Sequence, residues 1–279
     1  MTVLVTGATG SIGRGVVRRL LAAGEQVRAV TRRPETARLP AEADVVAGDL
    51  ADPGAFREAL RGVRAVYLFP VPETAREFAD LAVRSGVRRI VVLSSLAASG
   101  GPEGNMSAAT HSAVERAVEE SGVAERTFLR PGAFASNVLG WAESIRAEGV
   151  VRAPHGSAAQ ALIHEEDIAE VAAAALLTDD HVGATYELSG PAAVSQVEQV
   201  AAISVAIGEP LRFEELAPEQ ARQQWSARGM PPEVAAMLLD YLAEAVDSPD
   251  VPLPAVRQVT GHPARAFADW ATDHAADFR

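Results

Sequence analysis

Residues 5–13 read VTGATGSIG, and the placing of these three glycines decides how the rest of the chain is read. They follow TVLVT (2–6), a β-branched run, and lead into a stretch in which Ile12, Val16, Val17 and Leu20 recur on one face of a helix. Gly7 permits a tight turn, Gly10 lets the main chain approach a pyrophosphate, and Gly13 lets helix pack close to strand. The helix N-terminus then meets an anion with free N–H groups. Three glycines alone are a weak signal; where they open a βαβ unit they predict a nucleotide cradle, with a bare tight turn as the competing reading.

Beyond this turn, VRAVT (27–31), ADVVA (43–47), AVYLF (65–69), RIVVLS (89–94) and RTFLR (126–130) alternate with helical segments such as PGAFREALRG and ETAREFADLAVRSG, several of them closed by glycine. The alternation predicts an α/β fold: a doubly wound parallel sheet of the Rossmann type over residues 1–132, with residues 160–190 returning to it. After residue 132 helical segments predominate (138–148, 165–178, 195–207, 217–228, 232–246), with isolated strands near 150–152, 184–188 and 211–214. Residues 133–159 and 191–279 are expected to form a smaller, mainly helical C-terminal lobe on the substrate side. Within it DSPDVPLPAV (247–256) reads as a loop and 263–275 as a terminal helix that buries Phe267 and Trp270.

The chain of 279 residues is 48% hydrophobic, enough for a sizeable core. A net charge of −12, with no basic stripe interleaved with aromatics, argues against nucleic acid. The greasiest run, VAAAALL (171–177), is too short to span a membrane. Small molecules are the expected partners, and a monomer or homodimer in the cytoplasm is the expected state, the lack of cysteine fitting a reducing compartment. All 25 Lys+Arg positions are arginine, which excludes Schiff-base catalysis, a Walker-A lysine and any tyrosine–lysine proton relay. His155, His181 and His262 lie in loops without partners at metal spacing, so no metal site is expected.

The second strand ends VRAVTRR, where an NAD binder usually carries an acidic residue. Arg32 and Arg33 favour the 2′-phosphate of NADP(H), with NAD(H) still possible; two solvated arginines are the alternative. Arg14 is either a second phosphate contact or surface charge. Asp49, after the third strand, either accepts from an adenine amino group or caps the turn before ADPGAF.

TGATGSIG, GDLADPGAFREALRGVRAVYLF, GVRRIVVLSS, ERAVEESGVAERTFLRPGAFASN and EEDIAEVAAAAL together resemble the NmrA-like group of atypical short-chain dehydrogenases/reductases, in particular its NAD(P)H:quinone oxidoreductase and azoreductase-like members. The resemblance covers roughly residues 1–190 and recurs in VTGHPARAF. It implies NADP(H) as cofactor and a cleft between the two parts of the chain. By position it implies cofactor contacts from Gly7, Thr9, Gly10, Ser11, Ile12, Gly13, Arg32, Asp49, Leu68, Phe69, Pro70, Pro131 and Phe134. Ser94 and Ser95 end the fifth strand where the superfamily's catalytic serine lies, Ser94 on the cofactor side.

The departure is as informative as the match. The superfamily's Tyr-x-x-x-Lys aligns with Ser107 and His111, so the usual proton donor is missing. His111 shares a helical face with Val114 and Val118, the side that packs toward the sheet. Three roles stay open for it: orienting ligand, donating a proton, or a satisfied structural histidine. Reduction of a simple ketone needs a proton donor, whereas a quinone or other conjugated acceptor delocalises the incoming charge. The expected function is therefore an NADPH-dependent oxidoreductase passing hydride to a quinone or similar acceptor. Its substrate side is expected to include Val71, Ser95, Leu96, Asn137 and Tyr241, with 230–242 either covering substrate or packing the core. The rival is a non-catalytic NADP(H)-binding redox sensor that reports through a protein partner; epimerase or dehydratase chemistry would need the missing pair.

Overall fold

The computed structural model describes residues 1–100 and 105–279. In chain order it runs β1 (Thr2–Val5), α1 (Ser11–Ala22), β2 (Gln26–Thr31), β3 (Asp44–Ala47), α2 (Phe56–Ala59), β4 (Ala65–Leu68), α3 (Ala75–Arg84), β5 (Arg89–Leu93), α4 (Met106–Glu120) and β6 (Glu125–Pro131). Next come α5 (Ala142–Glu148), β7 (Val150–Ala153), β8 (Ala159–Gln160), α6 (Glu165–Leu177) and β9 (Thr185–Leu188). The chain ends with β10 (Val194–Ser195), α7 (Gln196–Ile207), β11 (Arg212–Glu215), α8 (Pro218–Ala227), α9 (Pro232–Asp247), α10 (Ala255–Thr260) and α11 (Phe267–Asp273). Met1–Gly132, Glu165–Leu188 and Ala255–His262 form one compact unit; Ala133–His164, Ser189–Pro254 and Pro263–Arg279 form a second.

The first unit is built on seven strands in the order β3-β2-β1-β4-β5-β6-β9, every neighbouring pair parallel. Parallel strands need crossover helices, which cover both faces of the sheet, and so β4 (AVYL) and β5 (RIVVL) are buried from end to end. On one face Leu4, Val66, Ile90 and Val92 pack with Phe56, Phe78, Leu81, Val114 and Val118 from α2, α3 and α4. On the other, α1 packs on α6 so closely that a Cβ built at Gly15 would lie 2.6 Å from Cβ of Ala169. Arg89, 6% exposed, donates to the carbonyls of Leu176 (3.1 Å) and Thr178 (2.7 Å), neutralising the negative C-terminal end of α6. Strand order reverses between β2-β1 and β4, which opens the ligand crevice of such sheets beyond the C-terminal ends of β1 and β4.

The second unit has its own core, with Trp270 fully buried among Val138, Ile145, Val151, Ile203, Phe267 and Phe278. Its strands are short: β7 pairs with β11 in parallel and β8 with β10 antiparallel. Four sequence expectations are corrected. The strand near 184–188 is not isolated but completes the large sheet beside β6, with Phe128 opposite Thr185 and Pro131 opposite Leu188. The strands near 150–152 and 211–214 pair with each other. The return to the sheet unit starts at Glu165 rather than 160 and ends at Leu188. Residues 255–262, read partly as loop and assigned to the lobe, belong to the sheet unit, where α10 packs on α6 and β9. Each correction concerns a partner far along the chain, which local periodicity does not encode. Among the described residues no helix is long and apolar enough to cross a membrane.

Candidate functional site

The turn between β1 and α1 is shaped by contacts that admit only small residues. Thr6, fully buried, donates its hydroxyl to the Tyr67 carbonyl (3.0 Å) and accepts from the Phe69 amide (2.8 Å), which ties together the ends of β1 and β4. Gly7 follows with φ +58°, in the left-handed region that favours glycine. The Gly10 amide donates to the Gly7 carbonyl (3.0 Å), and a Cβ at position 13 would sit 2.2 Å from that same oxygen. Gly10 caps α1 without a side chain, and the first turn carries no acidic residue. The leading amides of α1, at Ser11, Ile12 and Gly13, therefore have no helical acceptor and face outward with the positive end of the helix dipole. Gly7, Gly10 and Ser11 are exposed and Thr9 half-buried, so the cradle is open to a ligand.

Arg14, for which phosphate contact was one of two readings, makes three hydrogen bonds within the fold. It donates Nε to the Thr9 carbonyl (2.9 Å), Nη1 to that of Arg38 (2.8 Å) and Nη2 to that of Ala37 (2.8 Å). Arg32 and Arg33, just past β2, are exposed, and among the described residues no carboxylate pairs with either. They follow Thr31, whose hydroxyl lies 3.5 Å from that of Thr9 in the turn. Asp49 is exposed and caps its turn, Oδ1 accepting from the Ala51 amide at 3.0 Å.

On the other side of the cradle lie the ends of β4, β5 and β6. Leu68 is buried, whereas Phe69 is 45% exposed, its Cβ 3.3 Å from a Cβ built at Gly7; Pro70 and Val71 are half-buried. Ser94 is buried and donates to Glu115 Oε1 at 2.5 Å. Ser95 accepts from the Ala97 amide (3.2 Å) and, with Leu96, is half-buried; Pro131, ending β6, is buried. Asn105 caps α4 by accepting from the Ala108 amide (3.0 Å), and one turn in comes His111, half-buried. Its Nδ1 lies 2.8 Å from the Ser107 carbonyl. A carbonyl only accepts, so Nδ1 bears the proton and neutral His111 offers Nε2 as a lone pair.

The second unit holds the remaining expected residues. Phe134 bridges to Ile163 and accepts from the Asn137 amide (3.1 Å), with Asn137 exposed. Tyr241 is 38% exposed with its hydroxyl 3.5 Å from Asp250 Oδ2; burial, and secondly the Asp250 charge, push its phenol upward, so it is a poor acid. Along 230–242, Ala235, Leu239 and Leu242 are core residues, which leaves Met237 and Tyr241 as the exposed edge. Sequence reasoning missed Glu115 and Arg130. Their signal was a glutamate one turn beyond His111, between Val114 and Val118 on the buried face, which demands a buried partner.

The NmrA-like family pattern matches residues 1–249. The chain belongs to the NmrA-like family. It is 41% identical, over 99% of both chains, to a (4-alkanoyl-5-oxo-2,5-dihydrofuran-3-yl)methyl phosphate reductase of Streptomyces griseus. It is 36% identical, again over 99% of both, to an NAD(P)H azoreductase of Xenophilus azovorans. The structure of an Escherichia coli NADPH-dependent quinone oxidoreductase complexed with NADPH superposes with a TM-score of 0.81 at 26% identity, covering 97% of this chain and 99% of that one.

Proposed function

We propose that this NmrA-like NAD(P)H-dependent oxidoreductase passes hydride from NADPH to a conjugated small-molecule acceptor, a quinone or similar, without a tyrosine–lysine pair. The observation that carries the cofactor reading is a cradle too tight for any Cβ at position 13, set beside two arginines that no carboxylate among the described residues pairs with. The residues fit the cofactor. The amides of Ser11, Ile12 and Gly13 would hold the pyrophosphate and Arg32 the 2′-phosphate, while Phe69, Ser94 and His111 would border the nicotinamide half. Bound NADPH supplies the hydride.

The acceptor class follows from the proton inventory. The chain contains no lysine, the His111 Nδ1 proton is engaged by the Ser107 carbonyl, and the Ser94 proton by Glu115. Neither His111 Nδ1 nor Ser94 Oγ thus has a proton free to give, which suits a product whose negative charge is delocalised and disfavours a basic alkoxide. The Streptomyces relative supports this, since its named substrate bears an oxo and an alkanoyl group on a dihydrofuran ring, a conjugated system. The absence of cysteine supports a cytoplasmic location.

The test is loss of NADPH absorbance with quinones, conjugated lactones and simple ketones. Turnover of the conjugated acceptors and none of the ketones is expected. Comparable turnover of an isolated ketone would overturn the acceptor class; tight NADPH binding with no turnover of anything would favour a redox sensor.

A further inference from the structure

Ser94 directly follows β5 and Arg130 lies on the adjacent β6, at the C-terminal end of the sheet, and α4 lays Glu115 between them. Glu115 is 6% exposed, and its carboxylate is fully engaged: Oε1 takes the Ser94 hydroxyl (2.5 Å) and Arg130 Nε (2.9 Å), and Oε2 takes Arg130 Nη2 (2.6 Å). Arg130 is braced in turn through Nη1 to Ser99 Oγ (3.1 Å), and Ser99 donates to Glu187. A carboxylate held by a guanidinium fork has no proton to offer, so the shared proton belongs to Ser94. The hydroxyl thereby directs its hydrogen at Glu115. Its oxygen keeps its lone pairs, and no donor among the described residues reaches them.

A buried ion pair is a costly way to hold two elements together, because apolar residues of similar volume serve stability as well or better. What the fork adds is a fixed direction for one hydrogen. We propose that Glu115 and Arg130 are positioning residues that hold Ser94 Oγ as a hydrogen-bond acceptor toward the reaction site, so that Ser94 takes a hydrogen bond from a ligand N–H or O–H rather than giving one. The inference rests on the reading of this site as that of an NADPH-dependent reductase. Two ligands can supply such a donor at this end of the crevice: the carboxamide of the nicotinamide, or a hydroxyl on the acceptor substrate. A site built to receive a donor discriminates against an analogue that lacks it.

The test compares affinities for NADPH and for its reduced acetylpyridine analogue, whose methyl ketone replaces the carboxamide and carries no N–H. Both are measured by quenching of tryptophan fluorescence in wild type, Ser94→Ala, Ser94→Thr and Glu115→Gln. With the carboxamide as donor, Ser94→Ala and Glu115→Gln weaken NADPH binding by about 3- to 10-fold, leave the analogue unchanged, and Ser94→Thr restores the preference. With a substrate hydroxyl as donor, cofactor affinities stay fixed. In that case the ratio of kcat/KM for a hydroxyquinone over that for its methyl ether falls several-fold in the same two variants. Either pattern supports the proposal.

Wild-type preference in Ser94→Ala both for NADPH over its analogue and for the hydroxyquinone over its methyl ether, or uniform weakening of all ligands alongside a lower urea midpoint, overturns it. Should Glu115→Gln fail to fold, the Ser94→Ala and Ser94→Thr pair decides alone. Failure of wild type to turn over any acceptor would sink the reductase reading, while the binding comparison would still judge this one.

Discussion

Gly13 lies so close to Gly7 that a Cβ on the former would stand 2.2 Å from the carbonyl oxygen of the latter and 2.8 Å from its carbonyl carbon. Both atoms belong to the main chain, so no side-chain rotation can relieve the overlap. Gly13→Ala must therefore push α1 off the turn. The expected cost is about 1–3 kcal/mol of stability, with a larger loss of NADPH affinity, because displaced amides no longer converge on the pyrophosphate. Urea unfolding and titration calorimetry measure the two; wild-type NADPH affinity in this variant would remove the cradle from the account.

Arg32 is exposed and among the described residues has no acidic partner, so replacing it should disturb cofactor choice and little else. For Arg32→Glu the ratio of kcat/KM for NADPH over NADH is expected to fall by at least about tenfold, roughly 1.4 kcal/mol, the scale of a charge-assisted contact. The effect should shrink at high salt, since the site is open to solvent. An unchanged ratio would show that Arg32 and Arg33 are only surface charge.

His111 in the tautomer fixed by Ser107 presents a lone pair, which suits orientation of a ligand donor. His111→Ala is expected to lower kcat/KM by about tenfold, the worth of one lost hydrogen bond near the reacting centre. A loss of about 100-fold or more, with a changed pH–rate profile, would instead identify it as the proton donor.

Glu166 is drawn in two directions. Burial raises its carboxyl, but the Arg19 and Arg18 guanidiniums outweigh burial and hold it below its ordinary value. A depressed carboxyl contributes stability that is present above its unfolded pKa and is lost as pH falls through the lower folded one. Glu166→Gln should therefore cost about 1 kcal/mol near neutrality, given solvent screening, and nothing in acid below the carboxylate range. Urea midpoints across that range check the sign; a gap between variant and wild type that widens in acid would contradict it.

Tyr67 is fully buried in β4, and its hydroxyl has no hydrogen-bond partner among the described residues. Burial pushes the phenol far above its ordinary range. Removing an unmatched buried hydroxyl relieves its desolvation, so Tyr67→Phe is expected to leave stability unchanged or raise it by up to about 1 kcal/mol. A clear loss in the urea midpoint would count against this.

The sequence by itself determined the sheet unit as far as β6 and the turn that opens it. Strand and helix periods are local, and the glycines at 7, 10 and 13 report main-chain geometry that no other residue tolerates. Arg32 and His111 could be named as candidates for the same reason, each standing at a known offset from a strand end or helix start. Only the tertiary structure decided the rest. The seventh strand, the pairing of β7 with β11 and the return of α10 to the first unit depend on partners dozens of residues apart, and periodicity carries no address. Asp49 and Arg14 each had two readings, and hydrogen bonds to main-chain atoms now occupy one Asp49 oxygen and much of the Arg14 guanidinium. Above all, the direction of the Ser94 hydroxyl was settled by Glu115 from α4 and Arg130 from β6. Hydrogen-bond direction is a property of the atoms brought together, and it exists only once the chain has folded.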